Sequence, residues 1–163
     1  MTVSYLPEAL YLQIEEAMPI ACVDFVPVRD VDGVREVGLI LRDSPHGPVW
    51  CHLGGRILRG ETIAQAIRRH AADTVNLVPV LPLNPQPDYV YEWFPTQIAP
   101  TDGTVFGNDP RKHAIGLSFV LSLDGTPEPQ NEAIDFAHFP LGDLPRDLWP
   151  GCGELLERLG LAE

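Results

Sequence analysis

The segment from Gly55 to Leu77 contains the residues whose types and spacing could do chemistry. A glycine loop is followed there by apolar residues at helical spacing. His70, Asp73 and Thr74 lie three and four positions apart, so they project from one face of the predicted helix. Acidic side chains at such positions can share a hard cation with the oxygens of a phosphorylated ligand. The segment therefore indicates metal-assisted chemistry on phosphates, although its face carries only one carboxylate.

Arginines are concentrated beside this loop. Four of the 11 basic residues fall within it or on the helix that follows, namely Arg56, Arg59, Arg68 and Arg69. They could form a solvated basic patch, but a guanidinium beside a phosphate-type loop favours anion binding for Arg56. The glycines Gly54 and Gly55 permit a tight backbone turn at the same place.

The same segment resembles the Nudix box of the Nudix hydrolase superfamily. The residues that match the box at the family's spacing are Gly55, Glu61, Arg69 and Leu77. The departures are His70, Asp73 and Thr74, which stand at glutamate positions, and Asn76, which stands at a glycine position. The resemblance implies an α/β/α sandwich with a mixed β-sheet between helices, and a bracing role for Glu61 and Arg69. We also expect a weakened affinity for metal.

The resemblance also implies the roles of site residues. The Gly54 carbonyl, Asp73 and Glu132 would hold Mg²⁺ or Mn²⁺, and Glu132 lies in the loop before the last strand, where many family members place a further glutamate. Catalysis is assigned to Asp73, Glu132 and His70. Substrate contacts are assigned to Gly55, Arg56 and His113. Three alternatives stay open: His70 as a packed side chain, Glu132 as an exposed carboxylate and His113 as the start of a strand.

Within the superfamily, the order Trp50, Leu53, Gly54, Gly55, Arg56, Glu61 resembles the GDP-mannose mannosyl hydrolase branch. That resemblance implies a divalent-metal-dependent hydrolase of a nucleoside diphosphate linked to another group, with nucleotide sugars preferred. The missing glutamates support an alternative, a catalytically impaired Nudix-type protein that binds a nucleotide ligand for regulation.

The remaining elements follow from periodicity and turn residues. Residues 1–19 predict an N-terminal helical extension, residues 20–145 the core and residues 146–163 a C-terminal helix, all within a single domain. Asp32 and Gly33 predict a hairpin, and residues 89–94 and 113–123 predict strands. Residues 95–111 form a long polar connection, typical of a functional lid or a disordered loop. Glu61 is expected to open the central helix.

Composition and charge limit the possible partners. Acidic residues outnumber basic ones by 23 to 11, and the net charge of −12 repels polymeric nucleic acid. A small phosphorylated ligand remains compatible with a local cationic pocket. Three widely spaced cysteines favour buried free thiols over disulfides. No apolar run of about 20 residues predicts a membrane span, so we expect a cytoplasmic protein, and the resemblance makes a homodimer possible.

Overall fold

The structure is a computed structural model that describes residues 5–162. Its helices are α1 (Glu8–Ala17), α2 (Ile63–Val75) and α3 (Cys152–Arg158), with a 3-10 helix at Thr96–Ile98. Its strands are β1 (Ile20–Val31), β2 (Val34–Arg42), β3 (Val49–Cys51), β4 (Leu53–Arg56), β5 (Val78–Pro79), β6 (Tyr89–Phe94), β7 (Gly107–Asn108), β8 (Ala114–Leu121), β9 (Leu123–Asp124) and β10 (Asp135–Pro140).

Strand β1 is the centre of the main sheet. It pairs in parallel with β8 from Ile20 to Pro27 and antiparallel with both β2 and β4, giving the order β10-β2-β1-β8-β6-β7 with β3 beside β2. Val23, Phe25 and Val26 are fully buried, as expected for a strand covered on both faces. The sheet is therefore mixed and helices pack on it, which confirms the predicted α/β class.

The hairpin between β1 and β2 turns at the predicted dipeptide. Asp32 has a φ of 50° and Gly33 a φ of 80°, and Val31 pairs with Val34 across the turn. Positive φ at both central residues is the geometry that matches the twist of a two-residue hairpin. The local sequence is therefore sufficient to determine this turn.

Helix α2 begins later than expected. Thr62 is its N-cap: the Thr62 hydroxyl accepts a hydrogen bond from the Gln65 amide, and the Gln65 side-chain oxygen accepts one from the Thr62 amide. This capping box leaves Glu61 outside the helix. At the other end Asn76 adopts a left-handed conformation, with φ 54° and ψ 40°. Asparagine tolerates this region, so it replaces the glycine of the box without loss of the helix end.

The long connection and the C-terminal helix differ in detail from their predictions. Residues 95–111 contain a 3-10 helix and β7, so the connection is not a structureless loop, and its role as a lid stays a prediction. Helix α3 covers only Cys152–Arg158, because Gly151 and Gly160 take φ values of 100° and 72° at its two ends.

Two further expectations concern the cysteines and the membrane. Cys22, Cys51 and Cys152 are buried free thiols, as predicted. Within residues 5–162, no helix combines the length and the apolar character required to cross a bilayer.

Candidate functional site

The glycine loop brings three elements into contact. Gly54 and Gly55 have φ values of 131° and 156°, in the region that favours glycine. A Cβ atom at Gly54 would clash with the Val23 carbonyl of β1, and one at Gly55 would lie 2.8 Å from Cε1 of His70 on α2. Both glycines are therefore required for the close approach of β4 to β1 and α2.

Glu61 and Arg69 brace the loop against α2. The Arg69 Nε donates to Glu61 Oε1 at 2.6 Å, and its Nη2 donates to Glu61 Oε2 at 3.0 Å and to the Arg56 carbonyl at 3.0 Å. The Leu58 amide donates to the same carboxylate at 2.8 Å. The hydrogen bond from Arg69 is the main cause that holds the pKa of Glu61 below its usual value. These contacts stabilise the shape of the loop and leave neither side chain free to react.

A cavity of about 190 Å³ opens beside this loop. It lies where β1, β4, α2 and the segment before β8 meet. The lining residues are Cys22, Asp24, Arg42, Cys51, His52, Gly54, Gly55, His70, Trp93, Asp109, Arg111, Lys112, Ala114, Glu132 and Trp149.

Charged groups of both signs meet in the cavity. The cations are Arg42, Arg111 and Lys112, and the carboxylates are Asp24, Asp109 and Glu132. Over the whole chain acidic residues outnumber basic ones by 23 to 11. Inside the cavity the three cations balance the three carboxylates, so an anionic ligand meets less repulsion there than over the rest of the surface.

The floor of the cavity contains a buried ion pair. Asp24 Oδ1 lies 3.2 Å from His52 Nε2. Asp24 Oδ2 accepts a hydrogen bond of 3.1 Å from Trp93 Nε1. Gly116 on β8 leaves the space for this carboxylate. Burial lowers the pKa of His52, but the charge and hydrogen bond of Asp24, helped by Cys152, raise it to about 10. The imidazole is therefore positively charged at neutral pH and is not a general base.

Two arginines stand at the wall formed by Trp149. The guanidinium carbon of Arg42 lies 5.6 Å from the ring centroid and that of Arg111 5.3 Å from it. Arg42 Nη1 pairs with Glu132 Oε2 at 2.6 Å. Arg111 donates twice to Asp109, from Nε at 3.0 Å and from Nη2 at 2.9 Å. Burial acts to raise the pKa of Asp109, but hydrogen bonds from Arg111 keep it below its usual value.

The loop before β10 determines where Glu132 lies. Its residues cap the last carbonyls of α2: the Glu128 amide donates to the Val75 carbonyl, the Gln130 amide to that of Thr74, and the Gln130 side chain to that of Ala72. Helix ends leave such carbonyls without intrahelical partners, so the loop is held firmly. Docking of the loop therefore brings Glu132 to the cavity.

Four of the residues predicted from sequence meet in the cavity, namely Gly54, Gly55, His70 and Glu132. His70 Nε2 donates to the Arg56 carbonyl at 3.0 Å. Burial lowers the pKa of His70, so its imidazole is neutral at pH 7. Its Nε2 is already used in the hydrogen bond to the loop backbone.

Asp73 does not reach the cavity. Its side chain is exposed on α2, while its backbone carbonyl accepts a hydrogen bond from Asn131 of the docked loop. Thr74 turns into the core instead, with 2% of its surface exposed. In the family that the sequence resembles, these helix positions carry metal ligands. Here one of the two side chains faces solvent and the other faces the core.

The donor set does not fit a divalent metal ion. Within residues 5–162, no group of three or more His, Cys, Asp or Glu side chains is placed to hold one. The three carboxylates of the cavity are instead paired with His52, Arg42 and Arg111. The predicted set of Gly54, Asp73 and Glu132 is not assembled, because Asp73 lies outside.

Arg56 and His113 also lie outside the cavity lining. The guanidinium of Arg56 is covered by α1, with its carbon 3.6 Å from the ring centroid of Tyr11. The ring of His113 stacks on that of Phe94 with the centroids 4.2 Å apart, and its Nε2 lies 3.5 Å from Glu92 Oε1. The His113 carbonyl accepts a hydrogen bond from the Ile20 amide. The strand-start alternative describes the position of His113. Neither residue lines the cavity, and their substrate contacts stay predictions.

Sequence reasoning missed most of the charged lining. Asp24 stands alone in the apolar run of β1, and His52 interrupts the apolar residues before the glycines, which are signals of buried polar groups. Asp109 and Arg111 belong to the connection interpreted as a lid. Arg42 at the end of β2 has no comparable signal.

Solved structures of the same architecture are Nudix proteins. A possible asymmetric diadenosine tetraphosphate hydrolase from Jonesia denitrificans has a TM-score of 0.74 and 27% identity, over 90% of this chain and 98% of that one. A MutT Nudix hydrolase from Burkholderia pseudomallei has a TM-score of 0.66 and 20% identity, over 86% and 98%. The Nudix domain of Shewanella oneidensis NrtR, solved with ADP-ribose, has a TM-score of 0.58 and 22% identity, over 94% and 96%. The protein therefore has the Nudix hydrolase fold.

Residues 2–147 match the family described as a domain of unknown function, DUF4916, and the chain belongs to that family. Among curated proteins, none matches the sequence.

Proposed function

We propose that the protein is a Nudix-type hydrolase of a small nucleoside diphosphate derivative. The observation that carries this proposal is the cavity beside the glycine loop, which concentrates Arg42, Arg111 and Lys112 in a strongly acidic chain. Guanidinium and ammonium groups are the side chains that bind phosphate oxygens most strongly. The relatives described as a possible diadenosine tetraphosphate hydrolase and as a complex with ADP-ribose support the same ligand class.

Nucleotide sugars are the first substrates to test. The order Leu53, Gly54, Gly55, Arg56 supports them through the resemblance to the GDP-mannose mannosyl hydrolase branch. The cavity of about 190 Å³ is smaller than a typical pocket for a whole organic ligand, which is roughly 300–1,000 Å³. We therefore place the diphosphate inside the cavity and the nucleoside over its mouth.

Glu132 is the catalytic carboxylate of this proposal. It is the one acid of the sequence-based assignment that lines the cavity, and it lies 2.6 Å from Arg42. A carboxylate at that place can accept a proton from an attacking water. The lysine and arginines would stabilise the charge that develops on the leaving phosphate.

The test is a panel of nucleotide sugars, ADP-ribose and dinucleoside polyphosphates, assayed for product with Mg²⁺, with Mn²⁺ and with a chelator. We expect turnover of at least one compound, and a loss of roughly 10²-fold in kcat/KM for Glu132→Gln, the size expected for a general base. Asp73→Asn is the matched control, since that carboxylate is exposed and outside the cavity. Turnover that depends on Asp73 and not on Glu132 would refute the structural assignment.

A second function, binding without turnover, is favoured by one observation. The described residues contain no group of three metal-ligating side chains. A regulatory Nudix-type protein would bind ADP-ribose or a nucleotide sugar and release no product. This function would be supported if calorimetry detects binding of a compound and no compound of the panel yields product.

A further inference from the structure

Three positions carry metal ligands in the family that the sequence resembles. In this chain the residues at these positions are not placed to bind a metal ion. His70 is hydrogen-bonded to the Arg56 carbonyl, Asp73 is exposed and Thr74 is buried. The phosphate-binding task of the cavity therefore needs another source of positive charge.

We infer that the cavity binds the diphosphate of its ligand directly through Arg42, Arg111 and Lys112, which take the place of a metal ion. This inference rests on the proposed function, since it names how the same ligand is held. All three side chains line the cavity, and none of them belongs to the Nudix box.

Each cation keeps hydrogen-bond donors available for a ligand. Arg42 contacts Glu132 through Nη1 and the Asp43 carbonyl through Nε, which leaves Nη2 without a partner among the described residues. Arg111 uses Nε and Nη2 for Asp109, and its Nη1 is likewise uncommitted. The pairing carboxylates thus fix the orientation of both guanidinium groups without consuming them.

Lys112 is held loosely. Its Nζ lies 3.6 Å from Glu15 Oε2 and 3.5 Å from the Tyr11 hydroxyl, both at the limit of a direct contact. The side chain is nevertheless mostly buried, with 15% of its surface exposed. A buried ammonium with weak partners gains more from a ligand phosphate than an exposed lysine does.

The experiment measures binding of pyrophosphate and of ADP by calorimetry, in a chelator and in excess Mg²⁺. For each probe we expect the dissociation constant measured in the chelator to be similar to the one measured in excess Mg²⁺. Arg42→Gln and Lys112→Met should each weaken binding in the chelator by about tenfold or more, because each removes a charge-assisted hydrogen bond. Lys112→Met is the variant with the least risk to folding, given its loose contacts.

Arg59→Ala provides the matched control, since it removes one exposed arginine of the glycine loop outside the cavity. It should leave both constants unchanged. Binding that requires Mg²⁺ and is indifferent to Lys112→Met would overturn direct binding by the cations while leaving the proposed ligand class standing. Absence of binding by either probe, with and without metal, would overturn both proposals.

Discussion

His52 and Asp24 show what burial does to a single ion pair. Their side chains are 14% and 6% exposed, and the imidazole nitrogen lies 3.2 Å from the carboxylate. Two opposing effects act on His52, since burial favours its neutral form and Asp24 favours its charged form. The attraction prevails, so the imidazole is charged and the two side chains form a buried ion pair at the floor of the cavity.

A prediction at this scale concerns the pH dependence of stability. The folded pKa of His52 is about 10, above its unfolded value of about 6.5. Its contribution to the free energy of unfolding is therefore full below about pH 6.5 and is lost as the pH rises through the folded pKa. In Asp24→Asn the largest influence that raises the pKa is lost, so the pKa of His52 should fall. NMR titration of the imidazole in both proteins measures the shift.

Asp30→Asn serves as control for that titration. Asp30 is an exposed carboxylate paired with Arg35 in the hairpin, and its replacement should leave the pKa of His52 unchanged. A wild-type His52 that titrates near 6.5 would contradict the proposed pair.

Among the elements, helix α1 is attached to the core without burying any of its residues fully. Its N-cap Pro7 offers no side-chain hydrogen bond. Isolated helices shorter than about 12–15 residues are marginal in water, so this element of 10 residues depends on contacts with the core. Those contacts involve Arg56 through Tyr11 and Lys112 through Glu15.

We therefore expect Tyr11→Ala to loosen α1. The cation–π contact alone contributes about 0.5–1 kcal/mol, so local opening should increase by at least about two- to fivefold, and Tyr11 also packs against the core. Amide hydrogen exchange over residues 8–17 would measure the increase, with the rates of β1 and β8 as an internal reference. Leu12→Ala, which changes an exposed residue of the same helix, should have little effect. Equal acceleration in both variants would show that the Arg56 contact does not hold the helix.

The charge of the whole molecule and the charge of its cavity have opposite consequences. A net charge of −12 surrounds a cavity in which three Arg and Lys side chains equal the three carboxylates in number, with the protonated His52 in addition. Long-range repulsion acts on extended polyanions, which must approach many surface carboxylates, whereas a small ligand interacts mainly with the groups that line the cavity.

At this scale we predict no binding of polymeric nucleic acid. Single-stranded DNA should not change mobility in a gel-shift assay at low salt, the condition that most strengthens electrostatic binding. A retarded band that disappears with added salt would contradict the prediction.

The features readable from sequence are those set by neighbours in the chain. The hairpin at Asp32 and Gly33 was placed correctly, and the bidentate contact between Glu61 and Arg69 spans only eight positions. Helix α2 was also predicted, though its start was misplaced because Thr62, not Glu61, provides the cap. Such features depend on backbone preference and short spacing, which a linear sequence displays.

The cavity depended on contacts between distant segments. Asp24 meets His52 because β1 and β4 are antiparallel neighbours, and Arg42 meets Glu132 because a loop docks on the end of α2. That docking also explains why Glu132 lies in the cavity, whereas Asp73 projects from the exposed face of α2. The sequence alone thus determined the glycine loop, its brace and the α/β fold. Only the tertiary structure decided which charges meet, since sheet order and loop docking arise from packing that residue spacing does not encode.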